Sequence, residues 1–328
     1  MRIFQHANFP FMQWRRRAYI ITAVMLLAGL GAMIANATSR YGTWLNYGVD
    51  FKGGTLVQLD FAQPVQADQL RAAAEAAGHD GWEITNFGGA DEFVIRMESF
   101  SGQVGQTAED VVRQTLAPRF PTGSYQITRV EAVGPKVGSE LQFQALVAIL
   151  LSFLVTMVYL WVRFEWRFGL AAIAATAHDI LITLGLLALM GSEISLGTVA
   201  AFLTIVGYSL NDTIVVFDRI REDLAKPRHG KTYMELLNQA INETLPRTVL
   251  TASGTLATLV SLAVLGGPVI RDFAVVLILG ILIGTFSSIF VASPVLYFIE
   301  SKWPHKAPTK QQAAPSHSSR QRAARTTV

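Results

Sequence analysis

The chain has 328 residues, 51% of them hydrophobic and 16% charged, with a net charge of +3. An average soluble domain carries about a quarter charged residues, so this composition, with a mean hydropathy of +0.35, is that of a membrane protein. The absence of cysteine excludes disulfides, thiolate metal sites and cysteine nucleophiles, and the basic residues flank apolar runs and do not gather in a nucleic-acid-binding patch.

Residues 1–18 form a cytoplasmic N-terminus in which Arg15, Arg16 and Arg17 precede the first apolar run, Tyr19 to Ala37 (span 1, residues 19–37). The basic residues, the apolar core and Ala35-Asn36-Ala37 imitate a signal peptide, but the run exceeds the 7 to 15 residues of a signal core. It reads as a retained span.

Residues 38–140 read as a small exported domain. Thr55 to Phe61 alternates as a strand, Ala67 to Ala77 is an Ala-rich helix, and Trp82 to Phe87 and Glu92 to Met97 are strands around Gly88-Gly89. A helix over Thr107 to Leu116 and a strand over Tyr125 to Ala132 complete a β-α-β-β-α-β order, that of a ferredoxin-like fold. Asp68, Glu75, Asp91 and Glu92 are spaced as a solvated face.

Residues 141–299 hold five more apolar runs: Phe143 to Val162, Phe168 to Met190, Leu196 to Phe217, Val249 to Leu265 and Phe273 to Ile299 (spans 2 to 6). Arg163 and Arg167 separate spans 2 and 3; Arg219, Arg221, Lys226, Arg228 and Lys231 follow span 4; Lys302, Lys306 and Lys310 follow span 6. The turn between spans 3 and 4 lacks Lys and Arg, and that between spans 5 and 6 has only Arg271. The positive-inside rule then puts both termini in the cytoplasm and the domain outside. Residues 300–328, rich in Pro, Ser, Gln and Arg, read as a disordered cytoplasmic tail.

Span 4 carries Asp212 inside its apolar run. An ionised acid at membrane depth costs at least roughly 2.5 to 3.5 kcal/mol and usually marks an ion or proton path. At 100° per residue, Thr204, Tyr208, Asn211, Asp212, Asp218 and Arg219 share an arc of roughly 120°, with Asp212 about 10 Å deeper than Asp218. Span 5 offers a similar arc of Arg247, Thr251, Gly254, Thr255, Thr258 and Ser261. Arg247 beside Asp212 favours the carboxylate, and desolvation without it favours the acid, so a helix movement could load and release a proton. A fixed buried salt bridge between the two is the alternative. His178 and Asp179 in span 3 read either as a second relay station or as hydrogen-bonded glue between helices. Gly280, Gly284, Ser288 and Ala292 form a small-residue stripe for close helix packing in span 6. No metal constellation and no phosphate loop occur. The expected energy source is therefore an ion gradient, with no cofactor and no enzymatic chemistry.

Six dispersed segments carry a resemblance: Gly48 to Thr55, Val133 to Gly138 with Glu140-Leu141, His178-Asp179, Tyr208 to Arg219, Thr244 to Thr248, and Gly284 to Pro294. On these the chain resembles the SecF-type members of the SecD/SecF family, within the resistance-nodulation-division superfamily. The resemblance implies a multi-pass subunit of the bacterial cytoplasmic (inner) membrane. It would act with SecD, the SecYEG channel, a YajC-like accessory subunit and unfolded exported polypeptide, using the proton-motive force to assist late steps of export. Asp212 would be the proton-carrying acid, Arg247 its mobile counter-charge, Thr251 a polar neighbour, and Asn211 and Tyr208 the lining of the path. Na⁺ suits the same groups. A structural assembly subunit and a small-molecule efflux pump are the other readings; efflux is disfavoured because one domain of about 100 residues is small for a substrate pocket.

Overall fold

A computed structural model describes residues 7–79, 81–86, 89, 91–97, 106–121, 123–226 and 230–303. Phe87, Gly88, Arg228 and the tail beyond Trp303, all invoked above, lie outside the described residues. Six helices among the described residues are long and apolar enough to cross a membrane.

Helix α1 (Phe11–Ala35) continues as a π-helical turn over Asn36–Arg40. A two-residue strand β1 (Asn46–Tyr47) and a one-turn helix α2 (Val49–Lys52) lead into the inserted domain. That domain comprises β2 (Gly54–Phe61), α3 (Ala67–Ala76), β3 (Glu83–Asn86), β4 (Glu92–Met97), α4 (Ala108–Leu116) and β5 (Tyr125–Val133). Its sheet has the order β3-β4-β2-β5 with every pair antiparallel, which is the ferredoxin-like arrangement. Val57, Leu59, Phe93 and Ile95 alternate onto the face covered by Leu70 of α3 and Val112 and Leu116 of α4. The opposite face buries Leu56 and Val94 against Val49, and Arg96, on the same side as Val94, points towards the bundle.

The bundle continues with α5 (Pro135–Arg163), α6 (Trp166–Met190), β6 (Glu193–Ile194), α7 (Leu196–Ala225), α8 (Tyr233–Leu265), α9 (Pro268–Ser287), a second π-helical turn (Ser288–Ala292) and α10 (Ser293–Lys302). Several helices outrun the apolar runs that signalled them. Phe11 and Met12 pack into the core, drawing Arg15 to Arg17 into α1. Helix α8 starts at Tyr233 under a Thr232–Glu235 capping box and buries Leu236, Leu237, Ala240 and Ile241 before the apolar stretch begins. Hydropathy finds the lipid-facing length of a helix; these amphipathic extensions are held by packing instead.

Close approach depends on small residues. A Cβ on Gly29 of α1 would lie 2.7 Å from the Cα of Gly185 in α6. One on Gly280 would overlap the Ile205 side chain, and one on Gly284 would lie 3.1 Å from Ser209 Cβ. Ser288 and Ala292 are fully buried. The stripe read in span 6 thus packs within the bundle, against α7.

Two apolar layers fill the bundle. One holds Phe168, Ala175, Val216, Phe217, Leu237, Leu245 and Ile289. The other, nearer the inserted domain, holds Ile180, Leu187, Phe202, Ile205, Ala252, Leu277 and Ile281.

Candidate functional site

Between these layers lies a buried polar one. Going along each helix from one apolar cluster to the other, the residues crossed are Thr176, His178 and Asp179 on α6, Ser209, Asp212 and Thr213 on α7, Thr248 on α8, and Ser287 and Ser288 at the end of α9; all are buried. The layer therefore runs across four helices at one depth.

Asp179, with no exposed surface, is the hub. Its Oδ2 accepts hydrogen bonds from Ser209 Oγ at 2.5 Å and Ser287 Oγ at 2.7 Å, and its Oδ1 lies 2.9 Å from His178 Nδ1. One carboxylate thus joins α6, α7 and α9. Removing either hydroxyl, by Ser209→Ala or Ser287→Ala, is expected to cost about 1 kcal/mol. Asp179→Ala strands several donors and is expected to cost about 3 kcal/mol. Unfolding in detergent micelles measures both; an Asp179→Ala protein as stable as the wild type would refute the linking role.

Asp212 sits one turn beyond Ser209 and is only 2% exposed. Among the described residues its buried Oδ2 has no hydrogen-bond partner, and neither do the Thr213 hydroxyl, the Tyr208 hydroxyl and His178 Nε2. Unpaired buried oxygens are costly and are normally satisfied by protein or water. Three of the four lie on α7 and His178 on α6.

The single polar stripe expected on span 4 splits in the structure. Thr204, Asn211 and Asp218 are exposed, Tyr208 and Arg219 half-buried, and Asp212 buried. Asp212 occupies the edge of the predicted arc, and the inward face continues from it through Ser209, Thr213 and Val216. Arg219 pairs with Glu243 of α8 and Glu222, an interfacial cluster.

The arc expected on span 5 forms but opens on the surface of the chain. Arg247 and Thr251 are exposed. Thr251, Thr255, Thr258 and Ser261 each donate their hydroxyl to the carbonyl four residues back, at 3.0 to 3.3 Å. Arg247 is near enough for its charge to act on Asp212, yet no ion pair joins the two among the described residues. The fixed buried salt bridge considered above is thus absent from this arrangement. Pro246, inside α8, directly precedes Arg247 and removes a backbone donor at that turn, which loosens the helix there.

Sequence reasoning did not single out Ser209, Thr213 or Ser287. Ser209 could have been found by extending the inward period from Asp212 back one turn, and Ser287 by its place beside the small-residue stripe.

Residues 113–302 match the family model described as protein export membrane protein SecD/SecF, C-terminal, and residues 42–65 match the SecD/SecF GG motif. The chain is 44% identical over 309 residues to the protein translocase subunit SecF of Gemmatimonas aurantiaca, covering 93% of this chain and 91% of that protein. It is 40% identical over 284 residues to the SecF subunit of Vibrio alginolyticus, covering 86% and 87%. Among solved structures, the crystal structure of SecDF, a translocon-associated membrane protein from Thermus thermophilus, matches with a TM-score of 0.79 at 36% identity, covering 92% of this chain. This chain spans 40% of that longer one.

Proposed function

The chain belongs to the SecF family of protein translocase subunits, and on that premise we propose that it is a proton-driven subunit of Sec-associated protein export, acting with SecD in the bacterial cytoplasmic membrane. Both termini are cytoplasmic and the ferredoxin-like domain is exported, where it works beside the SecYEG channel and a YajC-like subunit on unfolded polypeptide in the late steps of export.

The observation that carries this reading is Asp212: a carboxylate buried in the polar layer, with one oxygen unpartnered and a neighbouring arginine not bonded to it. Protonation removes the charge that membrane depth penalises. Loss of the proton restores a charge that attracts Arg247, and the proline-weakened turn of α8 lets that residue approach. Asp179 meanwhile holds α6, α7 and α9 together, so the relative movement falls between α8 and the rest. The exposed polar residues of α7 and α8, including Asn211 and Thr251, complete the path against SecD, which supplies the other half of the bundle. This favours a cycling pair over a static assembly role, because a structural pair would already be closed.

Export into membrane vesicles containing the chain and SecD tests the reading, with pH and sodium gradients imposed separately. A pH gradient is expected to accelerate precursor release and a sodium gradient is not. Equal rates with and without any gradient would remove the basis for an ion-driven role.

A further inference from the structure

The segment joining α1 to the exported domain is gripped by two spans at once. β1 pairs in parallel with β6, Asn46 beside Glu193 and Tyr47 beside Ile194. The N–H of Gly48 donates to Ile194 O at 2.9 Å, and a side chain on Gly48 would overlap the Glu193 carboxylate. On the other side, Gln142 of α5 donates to Phe51 O at 2.8 Å, and a Cβ on Gly138 would lie 2.8 Å from the same carbonyl oxygen. Arg96 of β4 reaches the same turn from within the domain: it donates to Glu193 at 2.6 Å and to Asn46 Oδ1 at 3.2 Å. Arg96 and Glu193 are only 14% and 12% exposed.

One contact in this joint reaches α7 itself. Asp50 Oδ2 accepts the backbone N–H of Leu196 at 2.8 Å, and Leu196 is the first residue of α7. Ser195 Oγ accepts the N–H of Thr198, two residues further on, and Asp50 takes the N–H of Leu196, which that cap does not reach, with its negative charge at the favoured end of the helix dipole. Helix α7 then runs without a break to Ala225, with Asp212 about 24 Å along it by helix rise. Asp50 lies only four positions before Gly54, where β2 opens the domain sheet.

We propose that Asp50 is a positioning residue that fastens the start of the Asp212 helix to the first strand of the exported domain, so that displacement of α7 is delivered to the domain as a rigid movement. This rests on the proton-cycling reading of Asp212. A carboxylate whose role was only to stabilise a loop could bond any nearby donor; this one bonds the end of the helix that carries the buried acid.

The chain has no cysteine, so spin labels at Glu75→Cys on α3 and Leu265→Cys at the end of α8 report the domain-to-bundle distance in the full chain with SecD. Asp50→Ala is expected to broaden that distance distribution without any gradient, and to lower gradient-driven export per assembled complex by about fivefold, the factor such a cap carries. Asp50→Asn, which keeps an acceptor oxygen, is expected to retain most of both. Leu196→Pro deletes the same hydrogen bond from the other partner, at a first helical position that tolerates proline, and is expected to reproduce Asp50→Ala. The proposal is overturned if Asp50→Ala or Leu196→Pro keeps the wild-type distribution and export, or if Asp50→Asn fails as completely as Asp50→Ala. The gradient-free distances do not depend on proton coupling. They separate failure of this proposal from failure of the Asp212 reading, which would show instead as normal export by Asp212→Asn.

Discussion

Asp212→Asn is expected to abolish gradient-driven export while leaving the assembled complex intact. Asparagine keeps the size and polarity of the side chain in its buried place on α7, so packing against the neighbouring helices is preserved. It cannot take up or release a proton. The gradient contributes roughly 2.3 kcal/mol per charge per 100 mV, a bias of about 50-fold on the conformational cycle, and the variant forfeits it. Export with and without an imposed gradient, set against the amount of SecD that co-purifies, is the deciding pair of measurements. Retained gradient acceleration would end the assignment of Asp212 as the carrier. A parallel fall in SecD and export would instead favour a purely structural role.

Gly185→Leu is expected to force α1 away from α6. A Cβ at Gly185 lies 2.9 Å from the Gly29 Cα, and backbone cannot swing aside as a side-chain end can. Helix α1 is also tied at both ends. Asn36 donates to Ala188 O at 3.1 Å, and Asn238 and Asn242 of α8 accept the Met12 and Phe9 amides at 2.8 Å. The helix therefore cannot slide to make room. Overpacking typically costs 1 to 3 kcal/mol and occasionally more; about 3 kcal/mol is expected, since the contact is backbone to backbone. Gly31, also inside α1, would place a Cβ with no atom of the described residues within 4 Å and provides the control: Gly31→Leu is expected to leave stability unchanged or raise it by up to about 1 kcal/mol, the helix-propensity gain over glycine. Equal unfolding curves for the two variants in micelles would show that the close approach contributes nothing.

These two predictions draw on different kinds of information. That Asp212 stands out as an acid within a membrane-length helix was legible from sequence, because a charge within a long apolar run is costly wherever the helix lies. That Gly185 meets Gly29 was not, because neither glycine carries any mark of the other. The same division runs through the site. His178, Asp179 and Asp212 were each recognisable as intramembrane polar residues, whereas Ser209 and Ser287 became part of the site only because packing aims their hydroxyls at Asp179. Arg247 and Thr251 were correctly grouped on one face of α8, yet that face opens outward.

The sequence by itself determined the six spans, the ferredoxin-like order of the inserted domain, the placing of His178, Asp179 and Asp212 inside apolar helices and, through dispersed motifs, the family. All of these follow from local hydropathy, from periods of 2 and 3.6 residues, or from residue identity. Tertiary structure alone decided the rest: which edge of α7 turns Asp212 inward, which hydroxyls occupy Asp179, and how Asp50 comes to cap the helix of Asp212. Those outcomes depend on the rotation and height of each helix relative to its neighbours. These are set by close contacts such as Gly29 with Gly185 and Gly280 with Ile205, between residues far apart along the chain, and no pattern at either residue records the other.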